Sequence, residues 1–168
     1  FRDHNAADIF CDLLFDGSPS RTEILKELKK PVIINSVDKT LSDLQLPFIR
    51  INGWQGFLKG SIIEATCNDE SIRQQAEFFF SAVNKKAEWL PDEPGFVSAR
   101  IVAMIINEAY LALEEKVSEK EAIDVAMKLG TNYPYGPFEW AEKIGLEKIE
   151  RLLRKLSNQQ KRYTSFVG

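Results

Sequence analysis

Apolar and polar positions come in alternating blocks through the first half of the chain and settle into a helical period in the second. Ala7 to Phe15 is a nearly unbroken apolar run closed by Asp16 and Gly17, the pattern of a strand covered on both faces. Ser18 and Pro19 then open a helix with Ile24, Leu25 and Leu28 on its inner face, stopped at Pro31. Val32 to Ile34 reads as a second strand, followed by a polar loop from Asn35 to Lys39. Phe48 to Ile51 and Ile62 to Cys67 read as two more strands, joined by a loose segment containing Gly53, Gly56 and Gly60. A helix capped by Asn68 or Asp69 runs to about Lys85, with Ile72, Ala76, Phe79, Phe80 and Val83 on its buried stripe. Ala87 to Leu90 completes the set as a last strand. Strands separated by helices predict an α/β layer with a mostly parallel sheet.

Pro91 to Gly95 breaks the pattern with two prolines and a glycine around two acids, and everything after it is helical. We therefore expect two parts, 1–93 and 94–168. Phe96 to Leu113 is apolar around most of its circumference, which calls for neighbours on several sides or for a partner subunit. Ser118 and Glu121 have capping-box spacing for a helix through Leu129 that Gly130 would stop. Asn132 to Phe138 is a proline and aromatic turn, Glu139 to Ile144 a short helix closed by Gly145. Leu146, Ile149, Leu152, Leu153 and Leu156 mark a final amphipathic helix, and Tyr163 and Phe166 are the large anchors of a polar tail.

The 168 residues carry a net charge of -3, so there is no basic excess for nucleic acid. No apolar run is long enough to span a bilayer, and no signal-peptide pattern precedes the first strand. The two cysteines, Cys11 and Cys67, sit in apolar runs, which suits a reducing, cytoplasmic setting. A single histidine, His4, leaves no material for a zinc site or a histidine-based triad, so no metal is expected.

Candidate chemistry is sparse. Gly53, Gly56 and Gly60 have the wrong spacing for a dinucleotide fingerprint and precede a strand rather than a helix. Glu64, in the middle of an apolar strand, either faces solvent by alternation or is held in a cleft by a partner. Glu108 on the apolar helix calls for a structural pair. Cys67 has no evident base beside it and reads as packing. Trp54, Trp89 and Trp140 read as core or interface anchors, and Lys39 and Lys59 as solvated lysines or contacts to the phosphates of a bound ligand.

From Pro94 onward specific motifs accumulate: Pro94-Gly95-Phe96, Asn107-Glu108-Ala109, the Ile123 to Gly130 run and the Tyr133 to Glu139 turn. In this order and spacing they resemble the C-terminal helical domain of the 3-hydroxyacyl-CoA dehydrogenase family. Ala7 to Asp16, Asn35 to Leu41 and Phe48 to Glu64 resemble, more distantly, the second half of that family's Rossmann domain. The resemblance implies a truncated Rossmann-like sheet followed by the helical domain, a homodimer formed through that domain, and an acyl-CoA site in fatty-acid metabolism.

It also implies a chemistry that these residues do not match. The family's histidine base falls on Asn52, and an amide has no proton affinity near neutral pH. The glutamate that orients this histidine falls on Glu64. The serine and asparagine that hold the substrate oxygen fall on Lys39 (Thr40 if the loop slips by one) and Ala99, with Arg100 retained. The chain starts near the middle of the family's Rossmann domain, so no NAD is expected on this chain alone. The favoured expectation is a pseudoenzyme that keeps at most acyl-CoA or protein binding. The alternatives are an active NAD-dependent dehydrogenase whose nucleotide-binding half lies elsewhere, and a structural or regulatory dimer subunit with no small-molecule ligand.

Overall fold

The computed structural model describes residues 7–164; His4 and Phe166 lie outside them. The chain forms two compact units, dividing after Phe96. The first holds a five-stranded sheet in the order β1 (Phe10–Asp12), β2 (Val32–Asn35), β3 (Ile49–Ile51), β4 (Ile62–Thr66), β5 (Lys86–Trp89). Neighbours run parallel except β3 and β4, which are antiparallel. The mostly parallel sheet expected from the sequence is therefore present.

Two apolar clusters cover the sheet. Ile33, Ile49, Ile51, Ile63 and Ala65 pack with Ala76 and Phe80 of α3 (Glu70–Ala82). Val32, Ile34 and Phe48 pack with Leu41 and Leu46, flanked by Leu25 of α1 (Pro19–Glu27) and by Leu28 at its C-cap. Side chains alternate along a strand, so β2 contributes to both clusters, Ile33 to the first and Val32 and Ile34 to the second. The β2–β3 register pairs Ile34 with Arg50, which places Arg50 on the α1 face, opposite Ile49 and Ile51.

Between β2 and β3 the chain makes a one-turn helix, α2 (Leu41–Leu44), which the polar pattern had concealed. Thr40 Oγ1 accepts from the Asp43 amide, and Asp43 Oδ2 accepts from the Thr40 amide, both at 2.9 Å. That reciprocal cap starts the helix.

Several expectations for the first unit need correction. β1 is three residues long rather than the full Ala7–Phe15 run, and Cys11, Leu13 and Leu14 are exposed. No residue of α1 is fully buried, because only Leu25, with Leu28 at the C-cap, reaches the core; Ile24 is 55% exposed. The helix after Asp69 ends at Ala82, and Val83, at its C-cap, is exposed.

The second unit is helical: α4 (Ser98–Glu114), α5 (Lys120–Thr131), α6 (Pro137–Ile144) and α7 (Leu146–Ser157). Ile149, Leu152, Leu153 and Leu156 of α7 are buried, as are Val102 and Ile106 of α4 and Phe138 and Trp140 of α6. Asp124 of α5, 9% exposed, caps α6: its Oδ1 accepts from Phe138 N at 2.8 Å and its Oδ2 from Glu139 N at 3.2 Å. Gly136 is what lets the helix end come so close. A Cβ there would stand inside the van der Waals envelope of Asp124 Oδ1 and Cβ. Glu139 accepts from Lys128 Nζ and from Gly136 N; the bond to Lys128 comes first among the causes that hold its carboxyl below the ordinary range.

Both predicted caps of α5 are displaced. Its N-cap is Glu119 in extended conformation, with no side-chain cap from Ser118. The helix runs through Gly130 and ends on Asn132, which takes the left-handed conformation at φ 57°. Asparagine supplies that stop because its short polar side chain tolerates positive φ. The short helix after it starts two residues earlier than expected, with Pro137 in its first turn.

Candidate functional site

The antiparallel step between β3 and β4 pairs Ile51 with Ala65, and the next pair outward is Asn52 and Glu64. The Asn52 amide nitrogen donates to the Glu64 carbonyl at 3.0 Å, continuing the ladder. Its side chain follows: Asn52 Nδ2 donates to Glu64 Oε2 at 2.9 Å. Asn52 is 1% exposed and Glu64 half-buried. Asn52 Oδ1 in turn accepts from the Trp54 amide at 3.4 Å. The carboxylate thus accepts a charge-assisted hydrogen bond from a donor that cannot release its proton in the physiological range.

Asn35, at the end of β2, holds this corner in place and had not been singled out from the sequence. Its Nδ2 donates to the carbonyls of Leu13 at 3.2 Å and Gly53 at 3.3 Å, and its Oδ1 accepts from Gly53 N at 3.0 Å. One amide side chain therefore bridges the segment after β1 and the segment after β3, at the C-terminal ends of parallel strands where ligands of open α/β sheets bind. Gly53 is required by this closeness, since a Cβ there would lie 2.6 Å from Asn35 Cγ. The only sequence signal was Asn following a buried apolar triplet, which also reads as an ordinary loop start.

The other candidate positions are scattered. Lys39 is exposed, and its Nζ lies 2.8 Å from where a Cβ on Gly17 would stand. The hydroxyl of Thr40 is engaged as the α2 cap. Ala99 is fully buried in α4 of the second unit, and Arg100 is half-buried. Glu108 is exposed on the solvent side of α4, so the structural pair expected from burial is not required there. Cys67 is half-buried; burial pushes its thiol pKa up, which makes it a poor nucleophile. Trp54 and Trp140 are buried, and Trp89 donates to Glu77 Oε1 at 2.8 Å under the Arg73 guanidinium.

A dinucleotide needs amides free to face its pyrophosphate at a helix start. At the start of α1 the Asp16 carboxylate accepts from Ser18 N at 2.8 Å, and at α3 Asp69 accepts from Ser71 N and Ile72 N. Both ends are already met by fixed negative charge, so these two helix starts do not fit that group. No group of three or more His, Cys, Asp or Glu side chains converges on a metal position among the described residues, and none of their helices is long and apolar enough to cross a membrane.

A mostly parallel α/β sheet followed by a helical unit defines a Rossmann-like architecture with an all-helical second part. Residues 95–166 match the family described as 3-hydroxyacyl-CoA dehydrogenase, C-terminal domain. The chain is 41% identical over 98 residues to the 3-hydroxyadipyl-CoA dehydrogenase of Escherichia coli, a match covering 58% of this chain and 21% of that protein. Over 86 residues it is 41% identical to the human mitochondrial hydroxyacyl-coenzyme A dehydrogenase, covering 51% of this chain and 27% of that one. The crystal structure of 3-hydroxybutyryl-CoA dehydrogenase from E. coli matches at TM-score 0.69 and 32% identity, over 79% of this chain and 29% of that chain. The (S)-3-hydroxybutyryl-CoA dehydrogenase from Ralstonia eutropha shares the fold at TM-score 0.80 and 24% identity, over 95% of this chain and 62% of that chain. Residues 95–166 thus match the C-terminal domain of the 3-hydroxyacyl-CoA dehydrogenase family, and the chain as a whole is similar to members of that family. Its matches span 21% and 27% of the length of these two curated relatives.

Proposed function

We propose that this chain is a 3-hydroxyacyl-CoA dehydrogenase-like protein that has lost proton transfer and keeps an acyl-CoA or protein-binding role. The observation that carries this reading is the bond from Asn52 Nδ2 to Glu64 Oε2, at the position where the family resemblance calls for a histidine. A carboxylate beside an imidazole would raise its basicity and fix its tautomer; beside an amide it has nothing to charge. Loss of a general base alone costs roughly 10²–10⁴ in rate. Lys39 and Ala99 offer no neutral hydroxyl or amide to hold a substrate oxygen in the other two places. The free thiols Cys11 and Cys67 support a reducing, cytoplasmic setting.

The test is acetoacetyl-CoA-dependent NADH oxidation by the purified protein, paired with a thermal-shift titration by acetoacetyl-CoA. We expect no turnover above background and a rise in melting temperature with the thioester, since a ligand of the native state must stabilise it. A second reading rests on the similarity to the probable 3-hydroxybutyryl-CoA dehydrogenase of Deinococcus radiodurans, 54% identical over 65 residues. On that reading the protein is an active NAD-dependent enzyme whose nucleotide-binding half lies outside these residues. Turnover at an ordinary enzymatic rate would establish it and overturn the first. No turnover and no thermal shift would leave a structural or regulatory subunit.

The partner supported best is a second copy of this chain, through the helical unit. Ile101 of α4 and Val125 and Leu129 of α5 are 48%, 50% and 83% exposed, which a solitary helical unit has no reason to keep. Ile101→Glu together with Leu129→Glu is expected to convert a dimer to monomers in sedimentation equilibrium. A wild-type monomer at all concentrations would exclude this partner.

A further inference from the structure

Arg50 stands in a strand of isoleucines, is fully buried, and makes polar contacts to several separate segments of the first unit. Its Nη1 donates to the carbonyls of Ser36, Val37 and Lys39 at 3.2, 3.4 and 3.3 Å. Its Nη2 donates to the Glu93 carbonyl at 2.7 Å. Nε is 3.2 Å from Asp92 Oδ1, and the guanidinium carbon lies 4.2 Å above the Phe96 ring centre. Asp92 is doubly used: its carboxylate also accepts from Leu41 N and Ser42 N, both at 3.0 Å, at the start of α2. Gly95 N donates to the Val37 carbonyl at 2.7 Å, closing the ring of contacts.

The chain is under strain where these contacts end. Gly95 has φ 83° and Phe96 φ 50°, and left-handed backbone at an aromatic residue persists only when its surroundings over-determine it. Burial lowers the pKa of Arg50 to about 10, against the opposing pull of Asp92, Asp43 and Asp38, so it remains charged at neutral pH. A planar fork with five donors, charged at neutral pH, fits a set of main-chain acceptors on separate segments; a lysine cannot reach them together.

We propose that Arg50 is the positioning residue of the first unit: it locks the loop that carries Lys39 and the exit segment Asp92–Phe96 into one preformed arrangement, two residues along the strand from Asn52. Its link to the site rests on the functional reading above, in which Lys39 and Asn52 occupy substrate-facing positions. The locking itself does not, and it is tested without any ligand.

The test is amide hydrogen exchange on the full chain carrying Arg50→Ala, read against wild type. Exchange is expected to be on the order of tenfold faster at Gly95, Leu41 and Ser42, with α3 amides from Gln75 to Phe80 unchanged. Millimolar methylguanidinium, far below denaturing concentration, is expected to restore protection at those amides, an effect that a general loss of stability would not show. Faster exchange spread evenly over α3 as well, or no change at Gly95, overturns the proposal. Should Arg50→Ala fail to fold, Asp92→Asn decides: Asp92 does not touch the Gly95 amide, so faster exchange there reports loss of the guanidinium's anchor, and unchanged exchange there again overturns the proposal. Either result leaves the acetoacetyl-CoA assay to stand or fall separately.

Discussion

Phe80→Ala is expected to destabilise the first unit by about 3–5 kcal/mol, the range for emptying an aromatic core position. Phe80 is 2% exposed and belongs to the cluster that joins α3 to β3 and β4. Its ring also meets Phe79 edge-on at 5.7 Å and Trp89 at 6.3 Å. The cluster includes Ile51 and Ala65, the register pair next to Asn52 and Glu64. The cavity therefore opens on the opposite face of the strands from the candidate site, directly beneath it. Urea denaturation should show the lost stability, and exchange at the Asn52 amide should quicken. Phe80→Leu keeps most of the volume and should recover most of the loss. A cost below about 1 kcal/mol for Phe80→Ala would mean that α3 does not carry the sheet.

Asp124→Ala is expected to cost the second unit about 2–4 kcal/mol and to lower its melting temperature by on the order of 10 °C. Two effects add. The cap of α6 is lost, and the Phe138 amide, in a buried residue, loses its acceptor. Asp124→Asn keeps an acceptor oxygen but loses the charge opposite a helix N-terminus, so it should cost less than half as much. Gly136→Ala should be damaging in either background, because the Cβ of residue 124 is itself among the atoms that leave no room. Exchange at the Ala141 and Ile144 amides localises the effect to α6. A melting temperature unchanged by Asp124→Ala would show that α6 is held by its apolar face alone.

The strands and the long helices were legible because each repeats one period over several residues: Val32 to Ile34 and Ile149, Leu152, Leu153 and Leu156 of α7 are buried where the pattern put them, whereas Leu146 at the start of α7 and Ile101 of α4 are exposed. What was not legible depended on partners distant in sequence. α2 is four residues long, too short for any period, and its start is capped by Asp92, which no local pattern connects to it. Arg50 read as one more strand residue, since the carbonyls that justify its burial belong to loops. The Ser118–Glu121 spacing was a valid capping signal that the path of the chain left unused, with the helix beginning one residue later. At the candidate site, the Asn52–Glu64 relation came from a family resemblance rather than from spacing, and the register later put them side by side. Asn35 escaped because an asparagine after a strand is what an ordinary turn also uses.

The reversal of direction between β3 and β4 has a consequence for how this corner can change over generations. Ladder pairing, not the length of the intervening Gly53–Ser61 stretch, decides that residues 52 and 64 face each other. Beyond Gly53 and Trp54, which Asn35 and Asn52 hold, that stretch can lengthen, shorten or change composition without dragging the two side chains apart. What hangs over the pair is thus free to vary while the pair stays fixed, so a lineage could trade one bound molecule for another here by altering a single surface turn.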